Sequence, residues 1–192
     1  ANKPLHVIHN GTNTLTEPQL LNRSYFPAKP FIFSIGTILP KKNFHSLLPL
    51  VQGQEQMELV IAGRIDDVDY YQSILDTAAA MGISKNIKIV GPVSESEKSW
   101  YFTNCYAFAM PSTAEGFGLP VTEAMSVGIP LFLSGKTALP EIGGDVAFYF
   151  DDFSPAHMKA TFVDGMKQYV RLNMQDAIIK KGKAYCWDIA AM

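Results

Sequence analysis

Cysteine is scarce in this chain: Cys105 and Cys186 are the only two in 192 residues, too few for a disulfide scaffold or a cysteine-based zinc cluster. That usage fits a reducing, cytoplasmic setting. There is also no apolar run near the roughly 20 residues that cross a bilayer, and no signal-peptide pattern opens the sequence. Any membrane contact is therefore expected to be peripheral, at the inner face of the membrane, or made by segments not present here. The opening Ala1-Asn2-Lys3-Pro4 has neither a helix start nor a strand pattern and reads as a cut inside a longer protein.

An excess of positive charge is missing as well. Sixteen Lys and Arg face eighteen Asp and Glu, a net charge of −2, so no field gathers a polyanion. Apart from Lys180-Lys181-Gly182-Lys183 the lysines are dispersed, and nucleic acid is not an expected partner. The four histidines, His6, His9, His45 and His157, are scattered with no carboxylate or cysteine at ligand spacing. No Asp-x-Asp sits at a suitable strand end, and Asp66-Asp67 and Asp151-Asp152 read as solvated turns. No metal and no resident cofactor are expected. Low apolar content is absent too: 47% apolar and 18% charged residues describe a globular chain, long enough to fold as a single domain.

What is present is a repeated unit. A short β-like run at residues 5–9 and an irregular polar stretch from Thr12 to Pro30 come first. Apolar runs then occur at Phe31 to Ile35, Met57 to Ala62, Asn86 to Val90, Cys105 to Met110, Ile129 to Leu133 and Ala147 to Phe150. Turn signals close them at Gly36-Thr37, Gly63, Gly91-Pro92, Pro111-Ser112 and Ser134-Gly135. Helical patterns follow at Phe44 to Val51, capped by Asn43, at Asp69 to Met81, from the Ser94 cap to Thr103, and at Ala138 to Ile142. From Ser154, which reads as a cap with Pro155 at the first helical position, two more run to Tyr169 and from Gln175 to Tyr185. Continuously apolar strands alternating with helices predict a doubly wound, mostly parallel, six-stranded Rossmann-like sheet buried on both faces. The segments divide into residues 1–30 as lead-in, 31–150 as α/β core and 154–192 as C-terminal helices.

Ligands of such sheets bind at the carboxyl ends of the strands, where the glycine turns collect. The richest turn is Pro111-Ser112-Thr113-Ala114-Glu115-Gly116-Phe117-Gly118-Leu119, which runs into a helix with Pro120 in its first turn and Gly128 as its stop. Lean backbone at Gly116 to Leu119 and the positive end of a helix dipole predict an anion site. Glu115 and Glu123 flank it. A phosphate would repel both, so carboxylates facing the ligand should meet hydroxyls, and the implied ligand is a phosphate with sugar on either side. Simpler readings stand beside these: a dipole alone favours Glu123 early in a helix, Lys42 could be a solvated lysine, and Gly63 and Gly91 suit turn geometry. Trp100, Trp187, Met81, Met110 and Met125 read as packing residues.

Taken together, Asn10-Gly11, Gly36-x4-Lys41-Lys42-Asn43, Ala62-Gly63, Gly91-Pro92-Val93-Ser94, Glu115-Gly116-Phe117-Gly118-Leu119-Pro120-x2-Glu123-Ala124 and Pro140-Glu141 resemble the C-terminal, donor-binding domain of GT-B retaining glycosyltransferases, closest to family 4. Cys186-Trp187-Asp188-Ile189 resembles the segment before that family's last, domain-crossing helix. The resemblance implies that Glu115 contacts the transferred sugar, that backbone at Gly116, Phe117, Gly118 and Leu119 lines sugar and phosphate, that Glu123 holds the ribose, Lys42 the diphosphate, and backbone near Val93 the base. Many members carry Arg where this chain has Thr37, so by the resemblance either Lys41 supplies the second cation or diphosphate binding is weaker. It also implies a nucleoside diphosphate sugar as substrate, GDP-mannose ahead of a UDP-sugar, and an acceptor glycan or lipid-linked sugar. The acceptor-binding N-terminal domain is absent, so the fragment is expected to bind donor and transfer nothing. A non-catalytic nucleotide-binding or interaction module and a GT-B-like sugar-nucleotide epimerase remain open at this point.

Overall fold

The computed structural model describes residues 10–12, 15 and 25–187, so the β-like run at 5–9 lies outside the described residues. Six strands, β1 (Phe31–Ile35), β2 (Glu58–Ala62), β3 (Ile87–Gly91), β4 (Ala107–Met110), β5 (Leu131–Ser134) and β6 (Phe148–Phe150), fall on the six apolar runs. They form one sheet in the order β3-β2-β1-β4-β5-β6, with every pairing parallel.

Side-chain alternation along these strands divides the core in two. Phe33, Val60, Phe108, Leu131 and Leu133 point to one face, where they meet Tyr101, Val121, Met125 and Ile178. Ile32, Leu59, Ile61, Ala109 and Phe132 point to the other and meet Phe44, Leu48, Ile74 and Met158. Both faces are covered, which explains strands with no polar alternation.

The covering helices are α1 (Val68–Ala80), α2 (Glu95–Asn104), α3 (Leu119–Val127), α4 (Leu139–Gly143), α5 (Pro155–Leu172) and α6 (Gln175–Gly182). Ser94 caps α2 through a complete capping box with Glu97. Four local expectations need correction. Phe44–Val51 is a 3-10 helix with Pro49 inside it; in an α-helix the proline ring would clash with the His45 carbonyl four residues back. Asn43 does not cap it: the residue is left-handed (φ 56°) and its side chain turns elsewhere. Ser154 likewise makes no cap bond to α5; its N–H and Oγ both donate to the Asp152 carboxylate. Asp67, read as part of a solvated turn, is the N-cap of α1 and accepts from the Tyr70 N–H.

The chain order reverses between β1 and β4. Sheets of this kind open a crevice outside the carboxyl ends of the two strands at such a reversal, so the loops leaving β1 and β4 must form its walls. These are the stretches Gly36 to Asn43 and Pro111 to Gly118.

Candidate functional site

The turns after β1, β2 and β3 stack side by side. Gly36 N–H donates to the Ala62 carbonyl at 2.9 Å and Gly63 N–H to the Gly91 carbonyl at 2.8 Å. A Cβ on Gly63 would stand 1.9 Å from the Gly36 oxygen, so glycine is required there for close approach as well as for its φ of 149°. The turn-geometry reading of Gly63 holds.

The loops after β1 and β4 are fastened to each other. Asn43 Nδ2 donates to the Pro111 carbonyl at 3.2 Å, and Thr113 N–H donates to the Lys41 carbonyl at 2.8 Å. This is what the Asn43 side chain does in place of capping. The consequence is an ion pair between Lys42 Nζ and Glu115 Oε1 at 2.6 Å, the side chains only 14% and 12% exposed. The Lys42 ammonium lies over Gly36, where a Cβ would come within 3.4 Å of it.

At Glu115-Gly116-Phe117-Gly118 the backbone turns into α3. Gly118 is left-handed (φ 98°), and α3 ends at the left-handed Gly128 (φ 74°), as the start and stop signals predict. The N–H groups of Gly116, Gly118 and Leu119 donate to no acceptor among the described residues; they are the unsatisfied donors that a helix start presents to anions. Gly116 has no positive φ, and a Cβ there would meet nothing within 4 Å. Neither turn geometry nor protein packing asks for glycine at this position. Phe117 packs edge-on against Tyr185 at 5.9 Å between ring centroids, so its contribution to the crevice is backbone, whereas Leu119 is exposed.

The remaining expected residues scatter around this centre. Thr37 is half-buried beside the Gly36 and Gly63 contact. Lys41 is exposed and makes no ion pair among the described residues. Val93 is half-buried against the core at the start of the β3-to-α2 connection. Glu123 does not face Lys42. It pairs with Lys98 of α2, Nζ to Oε1 at 2.6 Å, with side-chain exposures of 14% and 15%. Burial raises the Glu123 pKa above its ordinary value against the pull of Lys98. Burial would lower Lys98, but its bonds to Glu123 and Glu95 outweigh that and raise it. Arg64 is exposed and bonded to Asp66 by Nε at 2.5 Å and by Nη2 at 2.9 Å.

Two residues escaped sequence reasoning. Lys98 left one signal: the positions three and four residues from Glu123 are Leu119, Pro120, Ser126 and Val127, so its counter-charge had to come from another element. Thr137 left none. It holds a left-handed φ of 55°, strained for a β-branched residue, and its hydroxyl accepts the Glu115 N–H at 3.0 Å.

The family described as glycosyl transferases group 1 matches residues 22–184. This chain belongs to that family. Among its relatives, O-antigen chain mannosyltransferase B of Escherichia coli is 30% identical over 148 residues, 74% of this chain and 36% of the relative. An MMP alpha-(1->4)-mannosyltransferase of Mycolicibacterium hassiacum is 36% identical over 73% of this chain and 33% of the relative. Among solved structures, a glycosyltransferase from Rickettsia africae superposes with a TM-score of 0.76 at 11% identity, over 85% of this chain and 45% of that one. Anabaena HepE, solved in complex with UDP and glucose, superposes at 0.67 with 19% identity, over 85% and 44%. This group 1 chain thus spans about a third of those mannosyltransferases and under half of those structures. The likeness of fold to GT-B glycosyltransferases agrees with the resemblance read from the glycine turns. Among the described residues no helix is long and apolar enough to cross a membrane.

Proposed function

We propose that this chain is the donor-binding part of a retaining glycosyltransferase that moves a hexose from a nucleoside diphosphate to an acceptor glycan or lipid-linked sugar. One observation carries the reading: at the reversal of strand order, unpaired N–H groups at the start of α3 open beside a glycine, Gly116, that the protein itself does not need. A diphosphate fits those N–H groups and the Lys42 ammonium. The sugar then lies along Gly116, with Glu115 on its hydroxyls, and Glu123 holds the ribose. Lys41 supplies the second cation near the phosphates, and backbone at Val93 approaches the base.

The chemistry follows from where charge develops. As the glycosidic bond to phosphate breaks, negative charge gathers on the departing diphosphate, and a fixed cation plus a helix N-terminus stabilise it without reorganisation. Donor binding must also divide the Lys42–Glu115 pair, sending the ammonium to phosphate and freeing the carboxylate for hydroxyls. The mannosyltransferase relatives favour mannose as the sugar, hence GDP-mannose as donor, with a UDP-sugar as the other candidate. In this reading the acceptor half of the cleft belongs to the part of the relatives that lies outside the match. The chain alone binds donor and transfers nothing, and the full enzyme works at the inner face of a membrane, where a lipid-linked acceptor would lie.

Thermal melting with GDP, UDP, ADP and their sugars tests this. A ligand at about 100 times its dissociation constant adds roughly 2.7 kcal/mol, and each kcal/mol raises the melting temperature by roughly 2–4 °C at this size. A rise of about 5 °C or more is expected with one base series, GDP and GDP-mannose first. Unchanged melting with every ligand at millimolar concentration overturns the reading.

A further inference from the structure

Glu123 is awkward for a binding carboxylate: it is mostly buried, its helix offers no cation within a turn, and burial disfavours its charged form. Lys98 resolves this from the neighbouring helix. Its Nζ lies 2.6 Å from Glu123 Oε1 and 2.8 Å from Glu95 Oε2, but Glu95 is 77% exposed. The buried partner is therefore Glu123, and Glu95 is an addition from solvent. The capping box fixes the first turn of α2 directly after the β3 turn, which sets the height from which Lys98 reaches α3. Glu123 Oε2 accepts no hydrogen bond from the described residues.

A buried ion pair gains little over apolar residues of the same volume, so stability alone does not account for a lysine here. We propose that Lys98 is the positioning residue of Glu123: its ammonium holds one carboxylate oxygen, so that the other is presented as an ionised acceptor to the ribose hydroxyls of the donor. This rests on the donor-site reading above. A carboxylate fixed through a single oxygen keeps free lone pairs on the second, and two adjacent hydroxyls are what such an oxygen recognises.

The test measures 2′-hydroxyl discrimination. Isothermal titration with GDP, 2′-deoxy-GDP, UDP and 2′-deoxy-UDP is run on the wild-type chain and on K98M, K98R, E123Q and the K98M/E123Q double variant. In the wild type, loss of the 2′-hydroxyl should weaken the better-bound nucleotide about tenfold, the size of a charge-assisted hydrogen bond. K98M should reduce that penalty to about twofold, as E123Q does, while K98R retains most of it. A lysine that merely stabilised the fold would lower the melting temperature and leave the ratio of ribose to deoxyribose unchanged; that result overturns the proposal. If K98M does not fold, the comparison moves to E123Q and the double variant. Equal affinities there support action through Glu123, and a further loss of more than about threefold means that Lys98 touches the ligand itself, which overturns it. The donor-site reading fails separately: if no nucleotide binds the wild type, both fall, whereas tight binding with no 2′-hydroxyl penalty ends this inference and leaves the donor site standing.

Discussion

The two edges of the sheet have been built by opposite rules. At the amino edge, between the end of the 3-10 helix, the start of β2 and β4, and α5, lies a groove of about 720 Å³ lined by Leu50, Met57, Tyr106, Phe162, Met166 and Val170. It is roomy and apolar, and no carboxylate lines it. At the carboxyl edge four separate segments bring in polar groups: Lys42 after β1, Lys98 on α2, Glu115 after β4 and Glu123 on α3. Volume alone would direct attention to the amino edge. Strand order directs it to the carboxyl edge, because at a reversal two loops diverge and leave backbone groups uncovered.

Substitutions at the two edges should separate accordingly. The largest effect is expected for Gly63→Ala, whose Cβ would collide with the Gly36 carbonyl at 1.9 Å: a loss of about 4 kcal/mol or more, seen as a collapse of the denaturation midpoint. Retention of a wild-type midpoint would mean the stacked turns are not rigid. Phe162→Ala, at the amino edge with its ring tilted against that of Phe132 at 4.7 Å between centroids, should cost about 2–3 kcal/mol while nucleotide affinity stays within about twofold. If affinity falls with it, the edges are not independent.

Lys42→Ala should do the reverse, weakening nucleotide affinity at least tenfold, the size of a lost charge-assisted bond. Lys167→Ala at the amino edge should leave titration curves unchanged. The sharpest contrast is Gly116→Ala. With open space around its Cβ and no positive φ to violate, it should gain about 0.5 kcal/mol of stability and lose about tenfold in nucleotide-sugar binding. Undiminished binding would remove the observation on which the proposed function rests.

The smallest effect concerns pH. Burial raises the folded-state pKa of Glu123, so the folded chain holds that proton more tightly than the unfolded chain. The stabilisation is complete below the unfolded value, about 4.3, and is lost as pH climbs through the raised folded value. The melting temperature of E123Q should therefore gain on that of the wild type as pH climbs above about 4. A gap that is constant, or moves the other way, contradicts the raised value.

Most of this architecture was legible in the sequence because it rests on local signals that agree with one another. Six apolar runs, five of them closed at a glycine or proline turn, read as the strands of one covered sheet. The start and stop of α3 were written in Gly118, Pro120 and Gly128. Where reading failed, the cause lay in contacts between distant segments. Asn43 has the chemistry of a cap but spends it on Pro111, 68 positions away. Lys98 looks like any solvated helix lysine until α3 packs beside it, and Thr137 shows its part only when its hydroxyl meets the Glu115 N–H from another loop. Charge pairing across helices has no sequence period to reveal it.

The Asn43–Pro111 and Thr113–Lys41 bonds also decide how a ligand is received. They join the loops of two strands into one piece before any ligand arrives, so the relative placement of Lys42 and the α3 N-terminus comes from backbone hydrogen bonding. Binding then needs side chains to exchange partners and leaves the loops as they are, and little ordering entropy stands against it. The nucleotide would meet a receptor whose shape was settled when the sheet formed.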